Sequence, residues 1–149
     1  MVAYAANNSL LILDPHHVTQ REEDGATPLL TPKVLFGLGG HTTRINAVQW
    51  LSSDLIVTIG GDEKVIIVWE KMQGMDVRNP EAWREAWKTK NAHPSTINYL
   101  TVLKGETESF YFTTMCSQGV LKLWVGSRSG EDRQLSFVQK SELLFGRNL

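Results

Sequence analysis

Among the side chains of this 149-residue sequence that could serve as acids, bases, nucleophiles or metal ligands are four histidines, one cysteine and 16 carboxylates. Their spacing points away from catalysis. His16 and His17 follow Asp14 and Pro15, a run that could ligate a metal, but no second His or Cys cluster completes a four-coordinate site. No H-E-x-x-H helix motif and no nucleophile elbow occurs. Gly37-Leu38-Gly39-Gly40 has the look of a phosphate loop, yet no Gly-Lys-Ser/Thr follows, and Thr42 stands where a third dinucleotide glycine would be. It reads as a turn. Cys116 closes an apolar run and reads as a small buried hydrophobe. A lone cysteine also excludes an intrachain disulfide. The expectation is a chain that is not an enzyme, with no catalytic residue, no metal and no cofactor.

The remaining two histidines are spaced against tryptophans. His41 and Trp69 lie 28 residues apart, and His93 and Trp124 lie 31 apart. The elements between them are short apolar runs rich in Val, Ile, Phe, Tyr and Thr: Ile45–Leu51, Leu55–Ile59, Val65–Trp69, then Ile97–Leu103, Phe110–Met115 and Val120–Val125. Turn residues such as Gly60-Gly61-Asp62, Lys104-Gly105-Glu106 and Ser117-Gln118-Gly119 separate them. Such runs bounded by turn signals predict antiparallel all-β structure made of hairpins. No segment keeps a 3.6-residue apolar period, which argues against a helical fold.

Asn79–Lys88 is the local exception. Asn79 could cap a helix, Pro80 suits its first position, and Trp83 and Trp87 stand four apart. About ten residues is too short for a stable isolated helix. His16–Pro32, with the charge cluster Arg21-Glu22-Glu23-Asp24, and Lys71–Pro80 both read as loops.

The chain repeats itself. Gly40-His41, three apolar runs and Trp69-Glu70 form one unit. Ala92-His93, three apolar runs and Trp124-Val125 form a second. A degenerate earlier copy runs from Val2 to Leu13-Asp14 and holds only the rear half of the unit. This organisation resembles the WD40 repeat, a four-stranded propeller blade that opens on Gly-His and closes on Trp-Asp. Within that family, the stretches AYAANNSLLILDP, GGHTTRINAVQW and DLIVTIGGDEKVIIVWE are most similar to the amino-terminal blades of Elongator subunit 2 proteins. The similarity covers residues 1–70 well and 91–125 loosely. Glu70 and Val125 stand where the family has Asp, and Leu13 where it has Trp.

The resemblance implies an all-β, WD40-type β-propeller of about three four-stranded antiparallel blades, near residues 1–38, 39–90 and 91–140. It implies a hydrogen-bonded chain of His, hydroxyl, turn carboxylate and Trp in each full copy. His41, Thr58, Glu63 (or its neighbour Asp62) and Trp69 would form the first chain; His93, Thr114, Gln118 and Trp124 the second. An indole has only a donor, a hydroxyl both donates and accepts, and a carboxylate fixes the histidine tautomer. Gln118 in place of a carboxylate loses charge assistance. The resemblance also needs an outer strand in each blade: Lys33–Leu38, Trp83–Thr89 and Gln134–Gln139. Outer strands are edge strands, where local helical propensity competes.

Propellers of this type bind partners through their faces and loops. A non-catalytic scaffold is therefore expected, one that supports assembly of the complex modifying the tRNA wobble uridine. Its partners would be other protein subunits, and Arg44 and Lys64 would be the candidate contact residues. The alternative is a WD40 adaptor in another multiprotein complex, such as one for ubiquitin ligation or trafficking. An enzyme with an unrecognised site is the third reading, and it requires convergent histidines and carboxylates in an open polar pocket.

Composition narrows the field further. Fifteen Lys and Arg against 16 Asp and Glu give a net charge of −1, without the basic face that nucleic-acid binding requires. No direct nucleic-acid contact or small-molecule substrate is expected of this segment. The longest apolar runs fall well short of the roughly 20 residues that span a bilayer. The first residues carry no basic signal region. Cytoplasmic placement, with the nucleus as a second compartment, is the corresponding expectation. At roughly 42 residues per blade the length holds about three blades, whereas closed propellers take four to eight. The expectation is an open arc, from a fragment, a truncated product or a chain that needs a partner, with apolar residues exposed on both terminal blades.

Overall fold

The computed structural model describes residues 1–21, 29–104 and 108–145, with side chains described outside residues 15–37. Among the described residues eleven strands run in chain order: β1 (Val2–Ala6), β2 (Ser9–Arg21), β3 (Leu29–Leu38), β4 (Ile45–Ser52), β5 (Leu55–Gly60), β6 (Val65–Lys71), β7 (Trp83–Thr89), β8 (Ile97–Leu103), β9 (Phe110–Cys116), β10 (Val120–Ser129) and β11 (Gln134–Leu144). They form three antiparallel sheets, each a meander of neighbouring strands: β1-β2-β3, β4-β5-β6-β7 and β8-β9-β10-β11. The fold is all-β, of WD40-propeller type, and the sheets form an open series. Among the described residues the first sheet has three strands rather than four.

Burial follows position in the series. The middle sheet is covered on both faces, so β5 and β6 are continuous apolar runs with every residue from Leu55 to Gly60 and from Val65 to Glu70 buried. One apolar layer lies between the first and middle sheets, where Leu10 and Ile12 meet Ile56, Ile67 and Trp69. A second lies between the middle and third sheets, where Leu55, Val57, Ile59, Ile66 and Val68 meet Ile97, Phe112, Trp124 and Phe137. The apolar residues exposed on the terminal sheets include Val2 and Tyr4 at one end and Tyr99, Val138 and Leu143 at the other.

Two local expectations resolve differently. The Asn79–Lys88 stretch splits. Pro80–Ala82 is a single 3-10 turn, capped by Asn79, whose side chain accepts the Glu81 N–H. Trp83–Thr89 is then the outer strand β7. A bulge falls where Val68 pairs with Trp87 and Trp69 with Glu85. One extra residue reverses the side-chain alternation. Trp83 therefore turns toward the first sheet, edge-on to Trp50 at 5.8 Å, while Trp87 turns toward the third, against Trp124 and Phe137. The four-residue spacing that suggested a helix face serves two different cores.

The His16–Pro32 loop, in contrast, is much shorter than its composition suggested. β2 continues to Arg21 and β3 begins at Leu29, with a register irregularity between Asp14 and Val18. Asp14-Pro15-His16-His17 thus lies in a strand. The turn signals at Glu22–Pro28 and Gly105–Glu106 fall outside the described residues.

Candidate functional site

The residues that could do chemistry gather at the end of the middle and third sheets where the β5–β6 and β9–β10 turns lie. In the middle sheet, His41 precedes β4, Thr58 lies in β5, Glu63 in the β5–β6 turn and Trp69 in β6. Trp69 Nε1 donates to Thr58 Oγ1 at 3.0 Å, Thr58 Oγ1 meets His41 Nε2 at 2.7 Å, and His41 Nδ1 meets Glu63 Oε1 at 2.5 Å. Thr42 gives Glu63 Oε2 two further donors, its backbone N–H at 2.9 Å and its hydroxyl. Asp62, the alternative carboxylate, instead accepts from Thr96 Oγ1 at the start of the third sheet.

This geometry assigns the protons. Burial lowers the His41 pKa against the pull of Glu63, so the ring is neutral at neutral pH. Partial burial works against ionisation of Glu63, but the Thr42 and His41 donors outweigh it and hold its carboxyl below the usual range. A neutral imidazole facing a carboxylate through Nδ1 carries its proton there. Nε2 then accepts from the Thr58 hydroxyl, which in turn accepts from the indole. Every polar atom in the chain is used.

Glycine makes the contact possible. A Cβ on Gly60 would fall on the Glu63 carboxylate and the His41 ring. The turn itself closes with Lys64 in the left-handed region at φ 58°, the position held by Gly119 at φ 79° in the next sheet.

The third sheet repeats half of this arrangement. Trp124 Nε1 donates to Thr114 Oγ1 at 2.9 Å, and Thr114 Oγ1 meets His93 Nε2 at 2.7 Å. His93 Nδ1, however, is buried without a hydrogen-bond partner. Gln118, at the place of Glu63, is exposed, and its backbone N–H donates to Ser95 Oγ at 3.2 Å. Pro94, at the place of Thr42, has no N–H to offer a carboxylate. Burial, with a smaller push from Lys122, lowers the His93 pKa to about 4.

Arg44 is exposed beside the His41 loop. Lys64 is half-buried, and its ammonium donates to the Pro94 carbonyl at 3.3 Å, tying the middle sheet to the third. Of the two candidate contact cations, Arg44 faces solvent and Lys64 is engaged within the molecule.

Three residues that matter here were not singled out from the sequence. Thr42 completes the Glu63 cradle. Gln49 joins two inner strands, its amide donating to the Leu100 carbonyl at 3.1 Å and accepting the Val102 N–H at 2.9 Å. Glu70, buried, is clamped by Arg84 at 3.1 Å and by Arg128 of the third sheet. Its place directly after Trp69, where the repeat carries an acidic residue, was the available signal. Among the described residues no group of three or more His, Cys, Asp or Glu converges to hold a metal ion. Cys116 is buried at the end of β9.

No protein-family model matches the sequence. Individual proteins do. The chain is similar to Elongator complex protein 2 of Drosophila melanogaster. The two are 28% identical over 123 residues, which is 83% of this chain and 13% of that protein. It is also 34% identical to Protein HIRA of Mus musculus and of Homo sapiens over 50 residues, 34% of this chain and 5% of each relative. The chain thus spans only a small part of the length of these curated relatives.

Proposed function

We propose that this chain is a non-catalytic interaction scaffold and, more finely, that it acts as Elongator subunit 2 does in supporting assembly of the complex that modifies the tRNA wobble uridine. The observation that carries the scaffold reading is the use of its chemical groups. His41, Glu63 and Thr58 are spent on one another and on a buried indole, so these three are engaged within the fold rather than held ready as base, nucleophile or ligand. The finer reading rests on similarity to Elongator complex protein 2 across 83% of the chain. Cytoplasmic placement, with access to the nucleus, accompanies it.

The test is affinity capture of the tagged chain from its own cells, with capture of the Arg44→Glu variant beside it. Recovery of other Elongator subunits, reduced at least tenfold for the variant, is the expected result. Capture of none of them overturns the finer reading. The HIRA match favours a second reading, an adaptor in another multiprotein complex. It predicts a reproducible set of subunits from a different assembly in the same experiment.

A further inference from the structure

Glu70 sits at the seam between the middle and third sheets, and two guanidinium groups share it. It is buried, and both its oxygens are taken, Oε2 by Arg84 of β7 at 3.1 Å and Oε1 by Arg128 of β10. One carboxylate neutralises one guanidinium, so this trio keeps a positive charge that nothing within it balances. The buried acid also fixes two long side chains, which then lose less rotamer freedom on meeting a ligand. Few of their donors are spent. Arg84 gives Glu70 only Nη2, and Arg128 gives Nη2 to Glu70 and Nη1 to the Arg133 carbonyl at 3.2 Å.

These groups line a cleft of about 830 Å³ bounded by the β6–β7 loop and the β10–β11 turn, within the size range of ligand sites. Its walls carry four cations, Lys71, Arg84, Arg128 and Arg133, against three carboxylates, Asp54, Glu70 and Asp132. Asp54 is spent on Lys71 at 3.4 Å, and Glu70 on its two arginines. Asp132 is exposed. Arg133 pairs with Glu108 at 3.4 Å, but the two side chains are 62% and 78% exposed. An ion pair so open to water contributes little and yields to a better-placed acceptor. A smaller neighbouring cleft of about 260 Å³ shares Glu70, Arg84 and Asp132 but adds Glu85 and no further cation, so an anion is drawn to the larger one. Among the described residues no aromatic side chain lines the larger cleft, which leaves nothing for a nucleobase to stack on.

We propose that this cleft binds an acidic peptide segment of a partner protein, one carboxylate held by the unspent donors of Arg84 and Arg128 and a second by Arg133. The assignment rests on the scaffold reading and gives it a docking site. Planar guanidinium groups match carboxylates with paired, charge-assisted bonds. One wall belongs to the middle sheet and the other to the third, so the bound segment ties the two together.

The test is fluorescence anisotropy of a labelled pentaglutamate peptide titrated with the purified full chain, with pentaglutamine as the uncharged control. Circular dichroism confirms that each variant folds. The wild-type chain should bind pentaglutamate with a Kd of about 0.1 mM or tighter, and pentaglutamine not at all. Arg84→Gln and Arg133→Gln, both at exposed residues, should each weaken binding at least about tenfold. Lys140→Gln, which removes an exposed charge from β11 outside the cleft, should leave it unchanged. Absence of saturable binding overturns the proposal, as does a loss of equal size in Lys140→Gln, which would mean attraction to charge without a site. Displacement by inorganic phosphate or free glutamate as effective as by unlabelled peptide also overturns it, since the cleft would then serve a small anion. If pentaglutamate fails to bind while the tagged chain still captures Elongator subunits, the cleft is refuted and the scaffold reading stands.

Discussion

The unequal histidine networks set expectations at single residues. Gln118→Glu would place a carboxylate where Glu63 stands in the neighbouring turn, whose left-handed position recurs at Gly119. His93 Nδ1 would gain an acceptor, and thermal unfolding should show a stabilisation of about 1 kcal/mol at pH 7, below the usual range for charged hydrogen bonds because Pro94 adds no donor. No change, or a loss, would count against the equivalence of the two turns. Gly60→Ala should act oppositely, costing about 2 kcal/mol or more in denaturant unfolding by forcing His41 and Glu63 apart and orphaning buried groups. Acid should act on both networks. His93 is held neutral with a pKa near 4 against 6.5 for the unfolded residue, so the unfolded chain takes up the proton first. Its contribution, on the order of 3 kcal/mol, is complete above pH 6.5 and declines as pH falls toward 4. The lowered pKa values of His41 and Glu63 push the same way. The unfolding midpoint should fall between pH 7 and pH 4.5, and His93→Gln should flatten that fall. An equal slope in the variant would remove His93 as the cause. The members of the first network came from the repeat resemblance, which left Glu63 and Asp62 as alternative carboxylates; the hydrogen bonds run through Glu63. Thr42 and the solvent-facing Gln118 were not legible in the sequence, because both depend on backbone direction in a turn.

Strands explain where local signals mislead. Asn79 and Pro80 do begin a helical turn, but it ends after Ala82 because β6 offers an unpaired edge, and Trp83–Thr89 gains ladder hydrogen bonds there. The sequence could not show the bulge that sends Trp83 and Trp87 to opposite faces, since a bulge is a property of the pair of strands rather than of either one. The polarity of residues 16–21 likewise suggested a loop where β2 continues, because a paired strand needs backbone partners more than apolar side chains. The short apolar runs, in contrast, gave strand order directly, since each pairs with its neighbour. Between sheets, the Gln49 amide does what backbone does within them. Gln49→Leu should leave the Val102 N–H and the Leu100 carbonyl to water and cost about 1 kcal/mol. The sharper measure is amide exchange: Val102 should exchange at least fivefold faster in the variant while Phe112 in β9 stays unchanged. A uniform acceleration across the third sheet would mean that the bridge supports the whole blade instead.

Stacked sheets that touch only their neighbours share out stability unevenly. In such series each unit's protection is the sum of its own stability and that of the interfaces it makes. The middle sheet makes two, with β5 and β6 buried from end to end, while each terminal sheet makes one and leaves an apolar face half-exposed. Contacts of the first sheet run through Leu10 and Ile12, those of the third through Phe112, Trp124 and Phe137, and both sets end on the middle sheet. Local opening should therefore begin at the ends, and native-state amide exchange should rank β5 and β6 slowest. Opening of β1 should leave them protected, because the interface to the third sheet survives it. Val57→Ala, beneath that interface, should remove about 1–3 kcal/mol and lower protection in β9 and β10 together with β5. Val2→Ala, on the open face, should change exchange in none of them. If β10 were protected more than β6, or if Val57→Ala left the third sheet untouched, the three sheets would be folding as separate units, and the repeat would describe their ancestry rather than their energetics.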